Sequence, residues 1–188
     1  MNYQSHKKII LETARNSIEH GLQHQYAMEV PHQDIPDLLL NPGACFVTLE
    51  IAGQLRGCIG SIEAYRPLID DISANAYASA FSDPRFNPVS EQELQQLDIH
   101  VSILTPATAM EFKDEQDLIA QIQPGIDGLI IEDQGRRGTF LPSVWESLPD
   151  VESFLKHLKL KAGLPEDYWS DSLTVHRYGT EMIDNSSS

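Results

Sequence analysis

A repeating apolar pattern at the start of the chain predicts an amphipathic helix. Over residues 5–22 the apolar side chains recur every four positions, at Ile10, Ala14, Ile18 and Leu22, which is the spacing of one helix face. Residues 23–44 contain three prolines, the last followed by glycine, and this punctuation predicts a loop. We therefore expect residues 1–37 to form an N-terminal helix and a proline-containing loop ahead of the main domain.

The next stretch has the pattern of paired strands followed by a helix. Cys45–Ile51 is rich in β-formers, and after a turn at Gly53 the chain can pair back over Leu55–Ile62, which predicts a β-hairpin. A helix is expected to begin at Pro67, because proline suits the first turn of a helix. Ser90, with Glu93 three residues later, has the pattern of a capping box and predicts a short turn of helix. Leu97–Ile103 then alternates apolar and polar residues, which predicts a half-buried strand.

The second half of the chain repeats this order of elements. Ile126–Glu132 can pair with Thr139–Leu141 across a glycine-containing turn. Asp150 is placed to cap a helix that Gly163 would end. A final strand is predicted over Leu173–Tyr178.

Residues 45–105 and 126–178 therefore both read as hairpin, helix and strand, which suggests a duplicated unit. Hairpins followed by helices favour an α+β fold with mainly antiparallel sheets and packed helices. We expect two subdomains within one compact domain over residues 38–183. Residues 184–188 are polar and are expected to form a disordered tail.

The charge of the chain limits its partners. Asp and Glu number 28 against 13 Lys and Arg, a formal charge of −15 over 188 residues, which argues against binding to nucleic acid or anionic lipid. No run approaches the ~20 apolar residues that cross a bilayer, and the start of the chain lacks a signal-peptide pattern. The two cysteines form no disulfide framework. The expected compartment is the cytoplasm.

The segment from Leu55 to Gly60, LRGCIG, places two glycines, an arginine and a thiol within a predicted strand. Glycine inside a strand is typical of a bulge, a close backbone approach or ligand access. In a regular strand Arg56, Cys58 and Gly60 would share one face, and a cation beside a thiol lowers the pKa of that thiol. Cys58 is therefore a candidate nucleophile. The alternative is a small core cysteine, with glycines that let a helix pack closely.

Arginines stand out against the acidic background. Between residues 16 and 112, 13 acids face three basic residues, a net charge of −10; the three are Arg56, Arg66 and Arg85. If they converge with Arg136 or Arg137 of the later hairpin, they could bind a small anion through their guanidinium groups. The alternative is that Asp83 and Arg85 brace a turn while Arg136 and Arg137 are solvated.

Two further patterns are rejected as catalytic sites. Asp98, His100 and Ser102 alternate along one strand, but side chains in line along a strand project in parallel about 7 Å apart and do not converge as a triad does. The histidines form no HExxH motif and no cluster with carboxylates, so we predict neither a metal site nor a cofactor.

Motifs spread over residues 38–183 resemble those of the AMMECR domain family, whose prokaryotic members are called AmmeMemoRadiSam system protein A. They occur in order at Leu55–Gly60, Asp83–Pro88, Glu93–Leu94, Val101–Leu104, Gly125–Gly128, Thr139–Pro142 and Lys161–Gly163. The resemblance implies an α+β fold with two subdomains and a functional element at Leu55–Gly60. It also implies genomic association with a Memo-like protein, which is similar to non-haem iron dioxygenases, and with a radical S-adenosylmethionine enzyme.

Two functions from different classes follow. The first is an accessory or binding component that docks the Memo-like protein or the radical S-adenosylmethionine enzyme, or holds a small anionic ligand. Its surface would comprise Leu55, Arg56, Gly57, Cys58, Ile59, Gly60, Asp83, Arg85, Arg137, Thr139 and Pro142. The second is an enzyme in which Cys58 acts as an activated thiol nucleophile or carrier, with Arg56 lowering its pKa. RNA association is the weakest candidate because of the overall charge.

Overall fold

The computed structural model describes residues 2–185 and has an α+β order of elements. The helices are α1 (Lys7–His24), α2 (Asp37–Leu40), α3 (Leu68–Phe81), α4 (Glu91–Leu94), α5 (Glu115–Gln121) and α6 (Val151–Lys161), with 3-10 turns at Tyr3–His6 and Pro142–Glu146. The strands are β1 (Pro42–Gly43), β2 (Cys45–Ile51), β3 (Gln54–Gly60), β4 (Arg66–Pro67), β5 (Leu97–Leu104), β6 (Thr108–Ala109), β7 (Gly128–Asp133), β8 (Arg136–Phe140), β9 (Thr174–Tyr178) and β10 (Thr180–Ile183). The antiparallel pairing of these strands confirms the predicted fold class.

The chain divides into two compact units. The first contains the residues up to Leu104 together with those from Glu181 onward, and the second contains Thr105–Thr180. The boundary predicted after residue 37 falls inside the first of these units. The tail predicted over 184–188 lies outside the described residues from 186 onward, while the Asp184 carboxylate is 3.8 Å from His100 Nδ1.

The first unit is a four-stranded sheet in the order β10-β5-β2-β3, with the small pair β1 and β4 beside it. Its core is formed by α1, α3 and one face of the sheet. The fully buried residues include Ile10, Ile18, Val47, Ile72 and Val101. Because Ile10 and Ile18 belong to this core, the N-terminal helix is an integral part of the unit.

The second unit is a four-stranded sheet in the order β6-β9-β7-β8. Its own core contains Leu118, Leu129 and Leu158, which are fully buried. Trp145 stacks on Phe154 with ring centroids 3.7 Å apart, a contact that adds directional packing to the buried area.

The two units share one arrangement of hairpin, helix and returning strand, as the repeated order of elements suggested. In each, an antiparallel hairpin (β2–β3 or β7–β8) is followed by a helix, and the next strand returns to pair with the first strand of the hairpin. A fourth strand pairs on the far side of the returning strand. In the first unit this is β10, which comes last in the chain, and in the second it is β6, which precedes the hairpin. The repeat is therefore one of strand order rather than of sequence.

Several local signals work as the sequence predicts. Ser90 and Glu93 form a capping box at α4, the Asp150 carboxylate accepts a hydrogen bond from Ser153 N at the start of α6, and Gly163 has φ 78° just beyond the end of α6. In the stretch 23–44, predicted to be a loop, the structure has α2 and β1. The strand β10 was not predicted, because its four residues carry no pattern of their own.

Candidate functional site

The LRGCIG segment lies in β3, at the edge of the first sheet, and contains a bulge. The pairing register shifts between Leu49 and Glu50, so β3 has one extra residue, Arg56, at this step. A bulge bends its strand and redirects the side chain of the inserted residue. The regular alternation assumed in the sequence analysis is therefore wrong at Arg56.

The glycines of the segment permit close approaches. A Cβ added to Gly57 would lie 2.1 Å from the Ser79 carbonyl oxygen of α3, and one added to Gly60 would lie 2.3 Å from Cγ of Phe46. The Ser79 hydroxyl donates to Val47 O at 2.7 Å and accepts from Ile59 N at 2.9 Å, so it bridges β2 and β3. Gly57 is therefore needed for the close packing of α3, and Gly60 for the close packing of the Phe46 ring.

Asp83 and Arg85 bind the backbone of Cys58. The Asp83 carboxylate accepts a hydrogen bond from Cys58 N at 2.9 Å, and Arg85 Nη2 donates to Cys58 O at 3.4 Å. Arg85 also donates to Asp83 through Nε at 3.0 Å and Nη2 at 2.8 Å. The Arg85 guanidinium holds the pKa of the Asp83 carboxyl well below its usual range, assisted by the backbone N–H of Cys58. The two motifs at Leu55–Gly60 and Asp83–Pro88 therefore form one hydrogen-bonded structure.

Arg56 is held by an acid of its own. Its Nε and Nη2 donate to the two carboxylate oxygens of Glu93 at 2.7 and 3.1 Å, and Nη2 donates to Pro88 O at 3.4 Å. This pairing, together with the Ser90 N–H, lowers the pKa of Glu93 to about 2. The guanidinium carbons of Arg56 and Arg85 lie 5.9 and 5.5 Å from the Phe86 ring centroid, within the range of cation–π contacts.

Two of the arginines singled out in the sequence, Arg56 and Arg85, lie near the Phe86 ring. Each remains paired with its own carboxylate. Arg66 is likewise paired, with the fully buried Asp71 at 2.8 Å. Side-chain exposure separates the pair near Phe86, because Arg56 is 15% exposed whereas Arg85 is 54% exposed. Arg85 is therefore the charged group of the site that solvent, or a ligand, reaches most readily.

Cys58 is half-buried, and its sulfur contacts a hydroxyl. The Sγ atom lies 3.3 Å from Thr48 Oγ1, and Thr48 pairs on its other side with His100 of β5. The contacts of the Arg56 guanidinium are with Glu93, Pro88 and Phe86. The arginine next to Cys58 in space is thus Arg85, through the Cys58 carbonyl, since the bulge turns Arg56 toward α4.

The second cysteine and the rejected triad have structural roles. Burial raises the pKa of the Cys45 thiol well above its ordinary value, with a contribution from the Asp71 charge. Leu97, Ile99, Val101 and Ile103 are buried while the residues between them are not, so the alternation predicted for β5 is confirmed. His100 Nε2 lies 3.6 Å from a Glu50 carboxylate oxygen.

Three residues that organise the site were not predicted from the sequence. Ser79 and Thr48 carry no local signal, because their hydrogen-bond partners lie on separate elements, ten or more positions away in the sequence. Asp71 accepts from Cys45 N, Ser61 Oγ and Asn75 Nδ2 at 2.8–2.9 Å as well as from Arg66. An acid in the first turn of a helix close to an arginine was the one available hint for Asp71.

The remaining predicted surface residues belong to the second unit. Arg137 Nε lies 3.9 Å from Glu132, and the Thr139 hydroxyl donates to Leu129 O and contacts the Tyr178 hydroxyl, both at 2.8 Å. Pro142 begins the 3-10 turn that follows β8. Arg136 donates to the Gly163 carbonyl, so this arginine binds the backbone just after α6.

Over residues 2–185, no group of three or more His, Cys, Asp or Glu side chains is arranged to hold a metal ion. A search for a helix with the length and hydropathy needed to span a bilayer also finds none in this part of the chain.

The fold and the motif define an α+β protein whose LRGCIG hairpin is tied to α3 and to the segment after it. The AMMECR1 family model matches residues 11–183, and the chain belongs to this family. The match begins inside α1, upstream of the residue 38 at which the sequence motifs begin.

Related proteins come from several archaea. A protein of Methanothermobacter thermautotrophicus is 39% identical over 94% of this chain and 92% of its own length. Protein MJ0810 of Methanocaldococcus jannaschii is 34% identical, over 97% of this chain and 83% of its own. The crystal structure of the uncharacterised protein PH0010 from Pyrococcus horikoshii has a TM-score of 0.83 at 35% identity, covering 93% of this chain and 88% of that one.

Proposed function

We propose that this chain is a cytoplasmic binding component that docks a Memo-like protein or a radical S-adenosylmethionine enzyme through the edge of β3. The observation that supports this proposal is the internal pairing of the motif. Arg56 is bound to Glu93 and Arg85 to Asp83, so these ion pairs hold the two arginine side chains in fixed positions at the surface.

The exposed members of that surface suit a protein partner. Leu55 is an apolar side chain that is nevertheless 42% exposed. Arg85 is 54% exposed even though it is paired with Asp83. Protein interfaces are commonly anchored by arginine and large apolar side chains that become desolvated on binding. Because Asp83, Glu93 and Phe86 fix the arginines beforehand, little side-chain entropy remains to be lost on association.

The docking test compares matched leucines. The Memo-like protein and the radical enzyme from the same genome are each titrated with the wild type, Leu55→Ser, Arg85→Ala and Leu160→Ser by isothermal calorimetry. Leu160 is 51% exposed on α6 and serves as the control. The first two variants are expected to bind at least about tenfold more weakly, which corresponds to ~1.4 kcal/mol, and the control to bind as the wild type does. An equal affinity for Leu55→Ser and wild type, or no binding of either partner, contradicts the proposal.

A small anion is the second ligand that this surface could take, because Arg85 retains exposed guanidinium area. Asp83 neutralises much of its charge, so we expect such binding to be weaker than protein docking. Titration with inorganic phosphate separates the two: saturable binding that Arg85→Ala abolishes, without binding of either protein, would favour the anion.

An enzyme that uses Cys58 is the alternative function, favoured by the half-buried thiol next to Thr48. The rate of alkylation by iodoacetamide against pH tests it, with Cys58→Ser showing how much signal arises from the buried Cys45. The docking proposal expects alkylation of Cys58 at neutral pH to be slow, as for a thiol that takes no part in chemistry. A rate that is already maximal at neutral pH would support an activated nucleophile instead.

A further inference from the structure

The end of α1 carries two histidines on one face. His20 and His24 are four residues apart, one helical turn, and their ring centroids lie 4.3 Å apart with an interplanar angle of 39°. Side chains at this spacing are neighbours on a helix surface. Gln25, with φ 65°, ends the helix immediately afterwards, and the chain returns so that the Tyr26 ring packs edge-on against His20 at 4.8 Å.

His20 has a ring nitrogen that the fold does not use. Its Nε2 atom is buried and has no hydrogen-bond partner. A buried polar atom without a partner is unfavourable, and proteins rarely leave one unless a ligand or a water molecule satisfies it. Packing against His24 and Tyr26 accounts for the ring itself but leaves this nitrogen unexplained.

We propose that His20 and His24 together chelate a divalent late transition-metal ion, of the class of Ni²⁺, Cu²⁺ and Zn²⁺. Imidazole nitrogens bind such ions at roughly 2.0–2.1 Å. Two rings on one ion, at a right-angled or tetrahedral N–metal–N angle, then have centroids about 4.5–5 Å apart. The observed 4.3 Å is close to that separation, so the two rings are near enough to share one ion.

The chemistry of the donors selects this class of ion. Imidazole suits Zn²⁺, Cu²⁺ and Ni²⁺, whereas Mg²⁺ and Ca²⁺ prefer oxygen ligands. Since no larger cluster of ligating side chains exists in residues 2–185, two protein ligands are supplemented by water. The net charge of −10 over residues 16–112 favours the approach of a cation.

The test titrates the full-length protein with NiCl₂ at pH 7.5 by isothermal calorimetry, in a buffer that does not chelate metals. The wild type is expected to bind one equivalent. His20→Ala and His24→Ala are each expected to weaken binding by at least about tenfold, the scale on which even outer-shell changes weaken metal sites. His157→Ala is the control, because this exposed histidine on α6 contacts the Ser153 carbonyl and no second histidine ring.

Melting curves without metal establish that the variants fold. His24 is exposed, so His24→Ala should melt as the wild type does, and any loss of Ni²⁺ binding in it is then local. Absence of saturable binding at one equivalent, or unchanged affinity in His24→Ala, overturns the proposal. Equal weakening in His157→Ala also overturns it, because binding would then be spread over surface histidines.

Discussion

Replacing Gly57 by alanine tests directly how the motif is held against α3. The added Cβ would lie 2.1 Å from the Ser79 carbonyl oxygen, whereas ordinary van der Waals contact begins at 3.4 Å. The atom that it meets is helix backbone, so β3 or α3 must move by more than an ångström. Gly57→Ala is therefore expected to destabilise the first unit.

The expected size of the effect has three contributions. Overpacking of a well-packed site costs about 1–3 kcal/mol, and disturbing the Ser79 hydroxyl between β2 and β3 costs about 0.5–1.5 kcal/mol for a hydrogen bond. Alanine restricts the unfolded chain and returns about 0.4–1 kcal/mol. Taken at their midpoints, these contributions leave a net loss of about 2.3 kcal/mol, which for a chain of this length lowers the melting temperature by roughly 5–9 °C.

The assay is thermal and urea unfolding followed by circular dichroism, with Gly179→Ala as the matched control. A Cβ at Gly179 would have its nearest neighbour at 3.6 Å, Thr105 Oγ1, so this variant should be neutral or slightly stabilised. If Gly57→Ala melts within about 2 °C of the wild type, or no lower than Gly179→Ala, then the close-packing explanation of the motif glycine is refuted.

Three further predictions concern the paired charges. Asp71→Asn leaves the Arg66 guanidinium and the donors around it without a carboxylate, and should cost about 3–5 kcal/mol in urea unfolding; a loss below 1 kcal/mol would show that the network is dispensable. The pKa of Asp83 is lower in the folded protein than in the unfolded chain. The stabilisation from its carboxylate is therefore present above the unfolded pKa of ~3.9 and is lost as pH falls. The drop in melting temperature between pH 5 and pH 2.5 should be smaller in Asp83→Asn than in the wild type, and an equal drop would contradict this. Lys159 is fully buried and paired with Glu115, so Glu115→Gln leaves a buried charge without its partner and should destabilise the second unit in urea unfolding. Lys159→Met removes that charge and keeps an apolar side chain of similar length, so it should destabilise the unit less; the reverse order would refute the reasoning.

Local signals in the sequence predicted the main helices and strands but not the arrangement of the site. The capping box at Ser90, the Asp150 cap and the Gly163 terminator depend on residues three or four apart, so they can be recognised in a single stretch. The order of hairpin, helix and strand follows from hydrophobic period alone, which is why both units were anticipated.

The site depends on registers that no local pattern specifies. The bulge at Arg56 arises from a shift against Leu49 and Glu50 across the hairpin, and without it the sequence placed the guanidinium beside the thiol. The Ser79 bridge and the binding of Asp83 to Cys58 N join residues 20 and 25 positions apart. The motif residues were found because they are chemically unusual, whereas their partners are ordinary serines and acids.

If the LRGCIG edge is a docking surface and not a thiol active site, as we propose, the Cys58 thiol is dispensable for partner binding. The most direct measurement is the affinity of Cys58→Ala for the Memo-like protein and for the radical S-adenosylmethionine enzyme, compared with that of Leu55→Ser under the same conditions. Cys58→Ala is expected to bind within about twofold of the wild type, while Leu55→Ser is expected to bind at least about tenfold more weakly. Loss of binding in Cys58→Ala with full binding in Leu55→Ser would contradict it.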